Sequence, residues 1–452
     1  MNIVFFSTNS NTFPHETFRI TRAPLHRNEW EAVAKEFLEH RFTIVTQMPC
    51  MFLADIMTDG SILKAKGINY IICKENSVEE MCNVILEQKP DIALAVSFWQ
   101  PPYDWNCLKD AMIAEALESY GIKTLCHSSQ TMNICFNKIQ TEEFLKSNGF
   151  RVPRSVHVSH ELFWTERSHG EIKSNVYKEY VLSQIQALTF PVIIKDTVGL
   201  SSYGMEVART YKEAVHYLRS GKTHSDRIVQ EYIEGVQFGT EIYGSPGSYT
   251  ILPPFAFSVN RFGITSPKQG IKVGPAKEDA ENLRLKELYE MLNTLAQNLN
   301  LKGIAQVDLI LSRDGWYILE VNPRLSGMTE TYAACYRTTV SRMLVNLALG
   351  KNPFTNEPIS VCNFKLPLIS EEEQKKILSR PDVHFLRQTQ NTLARQEREK
   401  GYCEIVFGRG KELSSLKEEL FLLQKECPHL VDEGFLRQAT GMIGLLDGTS
   451  KN

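Results

Sequence analysis

This 452-residue chain lacks several things, and each absence removes a class of function. No apolar run approaches the roughly 20 residues that a membrane-spanning helix needs. The N-terminus, MNIVFFSTNS, has neither the basic flank nor the long apolar core of a secretory signal, and reads as the first strand of a domain. The ten cysteines include no C-x-x-C pair and no Cys/His set at zinc-finger spacing. Reduced thiols and a cytoplasmic location are therefore expected. Cys335, in YAACY, is expected to be a small buried residue on a helix rather than a reactive thiol. A net charge of −3 gives no electrostatic case for nucleic acid or an anionic membrane. No G-x-G-x-x-G follows the first strand and no G-x-x-x-x-G-K-[ST] occurs, which argues against a dinucleotide fingerprint and a Walker loop. Internal repeats and low-complexity segments are missing too. What remains, 42% hydrophobic and 23% charged, suits an ordinary globular protein. Its length suggests about three domains.

Residues 1–127 alternate apolar runs (NIVFFS, FTIVTQ, NYIIC, DIALAVSF, IKTLCH) with helical stretches, which predicts an open, mostly parallel α/β sheet. Residues 128–150 read as two short helices broken near Asn137-Lys138, and 155–185 as polar and helix-like. From Phe190 the pattern becomes antiparallel β, with Ser245-Pro246-Gly247 marking a hairpin turn. A helix is expected over 278–299 and another over about 329–349, stopped by Gly350. Residues 351–365 read as a linker. A charge-rich helical run from Leu386 to Lys400, the strand YCEIVFG and the helix SLKEELFLLQKE follow, as a small α+β tail. The tail has two open roles, closing over a site or making a homodimer.

The most informative stretch is GIAQVDLILSRDGWYILEVNPRLSGMT, residues 303–329. Two β-rich runs flank Arg313-Asp314-Gly315, a three-residue hairpin loop with glycine last. That register sets Ser312 opposite Trp316 and Asp308 opposite Glu320. Asn322 shares the face of Glu320. Opposed carboxylates repel, and a cation between them removes the conflict. Oxygen ligands suit Mg²⁺ or Mn²⁺. Taken alone, the same hairpin could also present a solvated face, the less favoured reading.

Three weaker signals precede it. Lys195 ends the strand FPVIIKD and is followed by the Gly/Ser-rich GLSSYG, where small residues let backbone N–H groups approach phosphate. An ordinary turn reads the same way. Lys138 opens a helix, which the helix dipole disfavours. A phosphate-facing role would explain the placement, and so would surface exposure. VQEYIEG, at 229–235, could offer the backbone of Glu231 and Ile233 to an adenine edge, with Gln237 reaching the ribose. It could also be an amphipathic strand and turn.

In this order, over residues 138–329, the elements resemble the ATP-grasp superfamily, especially its carboxylate–amine ligases and biotin-carboxylase-like branch. EVNPRLSG with Asp308 upstream is the most specific part. The following GMT is similar to D-alanine–D-alanine ligases, whereas Pro323-Arg324 is nearer the carboxylase-like branch. The resemblance implies an N-terminal α/β domain (1–127), an ATP-grasp domain of two α+β subdomains (128–350, with the glycine-loop subdomain at about 188–235) and a C-terminal α+β domain (351–452). It implies that Lys138, Lys195, Ser201, Ser202, Gly204, Glu231, Tyr232, Ile233 and Gln237 bind ATP. It also implies that Asp308, Glu320 and Asn322 hold Mg²⁺ or Mn²⁺ and that Arg324 steadies the activated carboxyl.

Two positions depart from the pattern. The family often has Glu where Gln237 stands, and some D-alanine ligases have Arg where Gln306 stands. Glu241 matches a frequent acidic position without an assigned role.

The implied reaction joins a carboxylate to an amine through an acyl phosphate, with backbone N–H groups near Gly327 stabilising the oxyanion. An amino acid or similar small metabolite is the expected substrate. A carboxylase, a purine-pathway ligase and a non-catalytic nucleotide-binding module are the alternatives. Arg261, Lys268 and Lys272, and the aromatics Trp99, Tyr103 and Trp105, are candidates for lining a substrate pocket.

Overall fold

The computed structural model describes residues 1–8, 18–48, 52–57, 59–75, 77–98, 107–198, 205–220, 224–259, 270–391 and 401–448. Its first layer is a five-stranded parallel sheet in the order Ile68–Ile72, Arg41–Thr46, Asn2–Phe6, Ile92–Ala95, Lys123–Leu125. Helices Arg27–Glu36, Val78–Glu87 and Cys107–Ser119 accompany it, as the alternation predicts. Ile3, Val4, Phe5 and Phe6 are all fully buried, because a parallel sheet is covered on both faces. The next helices, Ser129–Phe136 and Lys138–Ser147, break where expected. Asn137 caps the second through its Oδ1, which accepts from Ile139 and Gln140 N–H at 3.0 and 3.3 Å.

A four-stranded antiparallel sheet follows in the order Glu206–Ala208, Val192–Asp196, Arg227–Glu231, Ser155–Val158. The last of these corrects the helical reading of 155–185. Ser155–Val158 is a strand, and helices occupy only His160–Phe163, Thr165–Ser168 and Val176–Gln186. One face of the sheet packs Val158, Val192, Ile194 and Val229 on Val181 and Ile185. The opposite face carries Lys195 and Gln230.

The largest sheet is antiparallel and ten-stranded. It runs from the Gly303–Ser312/Gly315–Asn322 hairpin through Val236–Ser245, Phe255–Phe257, Gly270–Gly274, Val361–Leu366 and Gly401–Phe407 to Val383–Asn391 and Phe18–Ile20. Ser248–Ile251 pairs beside it, around the expected turn at Ser245-Pro246-Gly247. Two expectations fail here. Residues 361–366, assigned to a linker, form a strand inside the sheet, and 386–391, assigned to a helix, belong to a strand. Phe385, Arg387 and Thr389 do alternate with Leu386 and Gln388. The alternation is hard to see because Arg387, Lys365 and Glu404 are charged residues turned inward.

The expected helix 278–299 begins only at Leu285, after a 3₁₀ turn and Arg284 at φ +50°. The expected helix 329–349 is two helices, Thr329–Cys335 and Val340–Ala348, separated at Arg337 (φ +49°), with Thr339 capping the second. Gly350, at φ +67°, ends it as predicted. Cys335 is fully buried on the first of these helices, and burial drives its thiol well above the ordinary range. No helix among the described residues is long and apolar enough to cross a membrane.

Candidate active site

The hairpin register is right, although the turn is shorter than expected. Ser312 pairs with Gly315, one residue earlier than the three-residue loop predicts. A β-bulge then inserts one residue between the pairs Leu309↔Ile318 and Asp308↔Glu320. The two shifts cancel, and Asp308 faces Glu320. Trp316, fully buried, anchors the hairpin by donating its indole N–H to Leu283 O at 3.0 Å.

The two carboxylates lie in a charged, enclosed place. Burial, and then the charge of Glu320, push the Asp308 carboxyl up to about 7. Gln306 Nε2 donates to Asp308 Oδ1 at 2.5 Å, and Asn322 Nδ2 donates to Gln306 Oε1 at 3.3 Å. Asp308, Glu320 and the Asn322 amide, expected to hold a cation, share one face of the hairpin, and among the described residues no three Asp, Glu, His or Cys side chains converge. An all-oxygen set with a repelling carboxylate pair fits a hard divalent cation.

The two lysines come to the same place from a helix start and a strand. Lys138 Nζ reaches Glu320 Oε1 at 3.3 Å, and its backbone N–H donates to Thr197 O at 2.8 Å. That bond ties the helix start to the end of the Lys195 strand. Lys195 Nζ donates to Gln230 Oε1 at 2.8 Å, and Gln230 Nε2 donates to Glu142 Oε2 at 2.9 Å. Burial, and then the neighbouring Lys138, bring the Lys195 ammonium down to about 8. Two ammonium groups facing one space favour a polyanion, as two carboxylates favour a cation. Gln230 and Glu142 were missed by the sequence reading. A polar pair on a strand and a helix far apart in sequence carries no local signal.

Arg324 is buried beside the hairpin. Its Nη2 donates to Asn322 Oδ1 at 3.0 Å and its Nη1 to Leu325 O at 3.3 Å. Glu241, which the sequence left without a role, organises the loop that follows. Its carboxylate accepts from Ser326 Oγ (2.8 Å), Thr329 Oγ1 (2.7 Å) and Tyr243 Oη (2.5 Å). Burial holds it above the usual carboxylate range, against those three hydrogen bonds. Leu325 N–H donates to Ser97 O at 3.2 Å, which seats the loop on the end of the parallel sheet. A Cβ at Gly327 would meet only Lys272 Nζ, at 3.7 Å, so the glycine keeps the approach to that lysine open. The helix after the loop is only seven residues long. The N–H groups of Ser326 and Met328 are already taken by Thr329 Oγ1 and Ser326 Oγ, at 3.0 and 2.9 Å.

The nucleotide hinge differs in detail from the expectation. Glu231 N–H donates to Arg154 O (2.9 Å) and Tyr232 N–H to Pro191 O (3.1 Å), so those donors are used within the protein. The Glu231 carboxylate meets Thr189 N–H at 2.7 Å and Arg154 at 3.2 Å. Ile233 follows directly, and Gln237 lies on the strand Val236–Ser245, opposite Ile310. Ser201, Ser202 and Gly204 lie outside the described residues, as do Arg261, Lys268, Trp99, Tyr103 and Trp105.

Residues 135–328 match the model of the ATP-grasp domain. The fold is similar to N5-carboxyaminoimidazole ribonucleotide synthetase from Thermus thermophilus (TM-score 0.61, 14% identity, 95% of this chain and 99% of that one). It is also similar to L-amino acid ligase from Bacillus licheniformis (TM-score 0.59, 15% identity, 98% and 97%). The biotin carboxylase domain of Hydrogenobacter thermophilus 2-oxoglutarate carboxylase is a third (TM-score 0.58, 13% identity, 98% of each chain).

Proposed function

Residues 135–328 belong to the ATP-grasp family, and from that premise we propose that the chain is an ATP-dependent ligase joining a small carboxylic acid to an amine. The observation that carries this reading is the meeting of two lysines, one on a helix and one on the four-stranded sheet, with two carboxylates of the hairpin, joined by the Lys138–Glu320 contact at 3.3 Å. A site with matched cationic and anionic halves suits a triphosphate bound together with a divalent cation.

Lys138 and Lys195 hold the phosphates, and the segment Glu231–Ile233 with Gln237 holds the nucleoside. Asp308, Glu320 and Asn322 would hold Mg²⁺ or Mn²⁺, which supplies neutralising charge at the phosphates when bound. A carboxylate oxygen attacks the γ-phosphorus and the bond to ADP breaks, a step that needs mostly positioning and charge. Arg324 steadies the acyl phosphate through its guanidinium fork. The Gly327 backbone faces the carbonyl that becomes an oxyanion. The amine nitrogen then attacks the acyl carbon, phosphate leaves and the nitrogen loses a proton. The resemblance assigns Ser201, Ser202 and Gly204 to phosphate binding, and they lie outside the described residues.

An amino acid or similar metabolite is the preferred substrate class. The test incubates the protein with ATP, Mg²⁺ and a panel of carboxylic acids, with hydroxylamine as a general amine. ADP and hydroxamate should appear together for some acid. ATP binding without ADP formation from any acid would leave a nucleotide-binding module instead.

A further inference from the structure

Residues paired across an antiparallel sheet share a face. In the four-stranded sheet Lys195 pairs with Ile228 and Ile228 with His157, while Ile193 pairs with Gln230 and Gln230 with Ser155. Lys195, Gln230, His157 and Ser155 therefore stand on one face, opposite the apolar core formed with Val181 and Ile185. The helix Lys138–Ser147 reaches that face through Glu142. Glu142 follows Lys138 by one helical turn, so the two lie on the same side of the helix. One helix face thus presents a lysine to the hairpin and a carboxylate to the sheet.

The hydrogen bonds of this group run in one direction. Ser155 Oγ donates to Glu142 Oε1, and His157 Nε2 lies 3.8 Å from the same oxygen. Burial would raise the Glu142 carboxyl, but the contacts of His157 and Ser155 bring it below the ordinary range, so it is an anion. Its second oxygen accepts from Gln230 Nε2 at 2.9 Å, and Gln230 Oε1 accepts from Lys195 Nζ at 2.8 Å. A carboxylate only accepts and an ammonium only donates. The Gln230 amide between them has one orientation that satisfies both, with its oxygen toward Lys195. Lys195 and Gln230 are buried, where a mismatched polar group is costly. Burial and Lys138 disfavour the Lys195 ammonium, and the charges of Glu320 and Glu142 act the other way.

We propose that Glu142 is a positioning residue for ATP: through the Gln230 amide it fixes the direction of the Lys195 ammonium, and with it the grip on the phosphates. This inference rests on the reading of Lys195 as a phosphate-binding lysine of an ATP-dependent ligase.

The direction of the hydrogen bonds supplies the test. Glu142→Gln puts an amide where the carboxylate stood. Its oxygen keeps the Ser155 bond, so its NH₂ group faces Gln230. Either two NH₂ groups then meet, or the Gln230 amide turns and offers its own NH₂ group to Lys195. Combining Glu142→Gln with Gln230→Glu removes the conflict, because the new carboxylate accepts from Lys195 on one side and from the new amide on the other.

ATP binding to the full chain with Mg²⁺ is followed by calorimetric titration. Glu142→Gln should weaken it by about tenfold, the scale of one charge-assisted contact. The combined variant should recover most of that loss, which a merely structural carboxylate would not allow. Lys195→Met should weaken binding by itself, and adding Glu142→Gln to it should cost little more, since both act through one contact. Unchanged affinity in Glu142→Gln, no recovery in the combined variant, or losses that add in the Lys195→Met background would overturn the role of Glu142 and leave the ligase reading intact. The expected binding pattern with no ADP or hydroxamate from any acid would overturn the ligase reading and leave the positioning role standing. No ATP binding by the unaltered chain would overturn both.

Discussion

Two clusters along one sheet each hold a pair of carboxylates, and they behave in opposite ways. Glu330 and Glu404 have the Arg387 guanidinium between them. Burial would raise Glu404, but Arg387, Lys365 and Lys272 outweigh it and bring the carboxyl down to about 2. Asp308 and Glu320 face each other across the hairpin, and Asp308 is pushed up to about 7. Where the chain supplies the cation itself, the cluster is a brace. Where Lys138 reaches Glu320 and Asp308 is still pushed up, the arrangement is suited to a ligand. Carboxylate pairing alone does not separate the two cases, but the direction of the pKa shift does.

The contrast can be broken at either end. The largest effect is expected from Arg387→Met, which removes the guanidinium between two buried carboxylates. Such a loss typically costs about 3–5 kcal/mol, read as a lower midpoint in urea unfolding. A midpoint close to wild type would mean that Arg387 is not the brace.

Glu320→Gln should cut ADP formation by about 100- to 1,000-fold, the usual range for removing one electrostatic contact to a transition state. Nucleotide binding, followed by fluorescence titration, should fall much less. Turnover close to wild type would remove Glu320 from the phosphate site.

Asp308→Asn should move stability the other way. The folded pKa of Asp308 lies above its ordinary value of 3.8, so its protonated form is favoured in the fold. That contribution is complete below 3.8 and is lost as pH rises through about 7. At pH 8 without ligand the charged form is a burden, and the variant should be more stable by about 2–4 kcal/mol. Calorimetry at pH 8 and pH 5 should show the gain shrinking at the lower pH. A loss of stability at pH 8 would refute the repulsion between the pair.

The smallest effect is expected at Glu241, a third arrangement in which hydroxyl donors replace the guanidinium. Glu241→Gln should cost about 1–3 kcal/mol through mismatched hydrogen bonds and lower kcat by loosening the 326–329 loop. Thermal melting and steady-state turnover would check both parts.

Much of the site was legible because its parts are local. Strand alternation gave the face shared by Glu320 and Asn322, and the Asp308 register survived because a shorter turn and a bulge shift the pairing by equal and opposite amounts. The parallel sheet was legible because strands covered on both faces read as unbroken apolar runs. The strands of 361–366 and 383–391 were not, since a buried Lys365 or Arg387 resembles a surface residue until its partner is known. The same blindness hid Gln230 and Glu142, whose meaning depends on Lys195.

The sequence by itself determined the strand–helix alternation of the parallel sheet, the lysine at a helix start and the hairpin with its carboxylates. All of these follow from periodicity, caps and turns within a few residues. Only the tertiary structure decided that Lys138 meets Glu320, 182 positions away, and that the strands after residue 350 extend the sheet of the hairpin. The reason is physical. A charge in a sequence carries no information about its dielectric surroundings or its counter-charge, and those two decide whether it supports the fold or waits for a ligand.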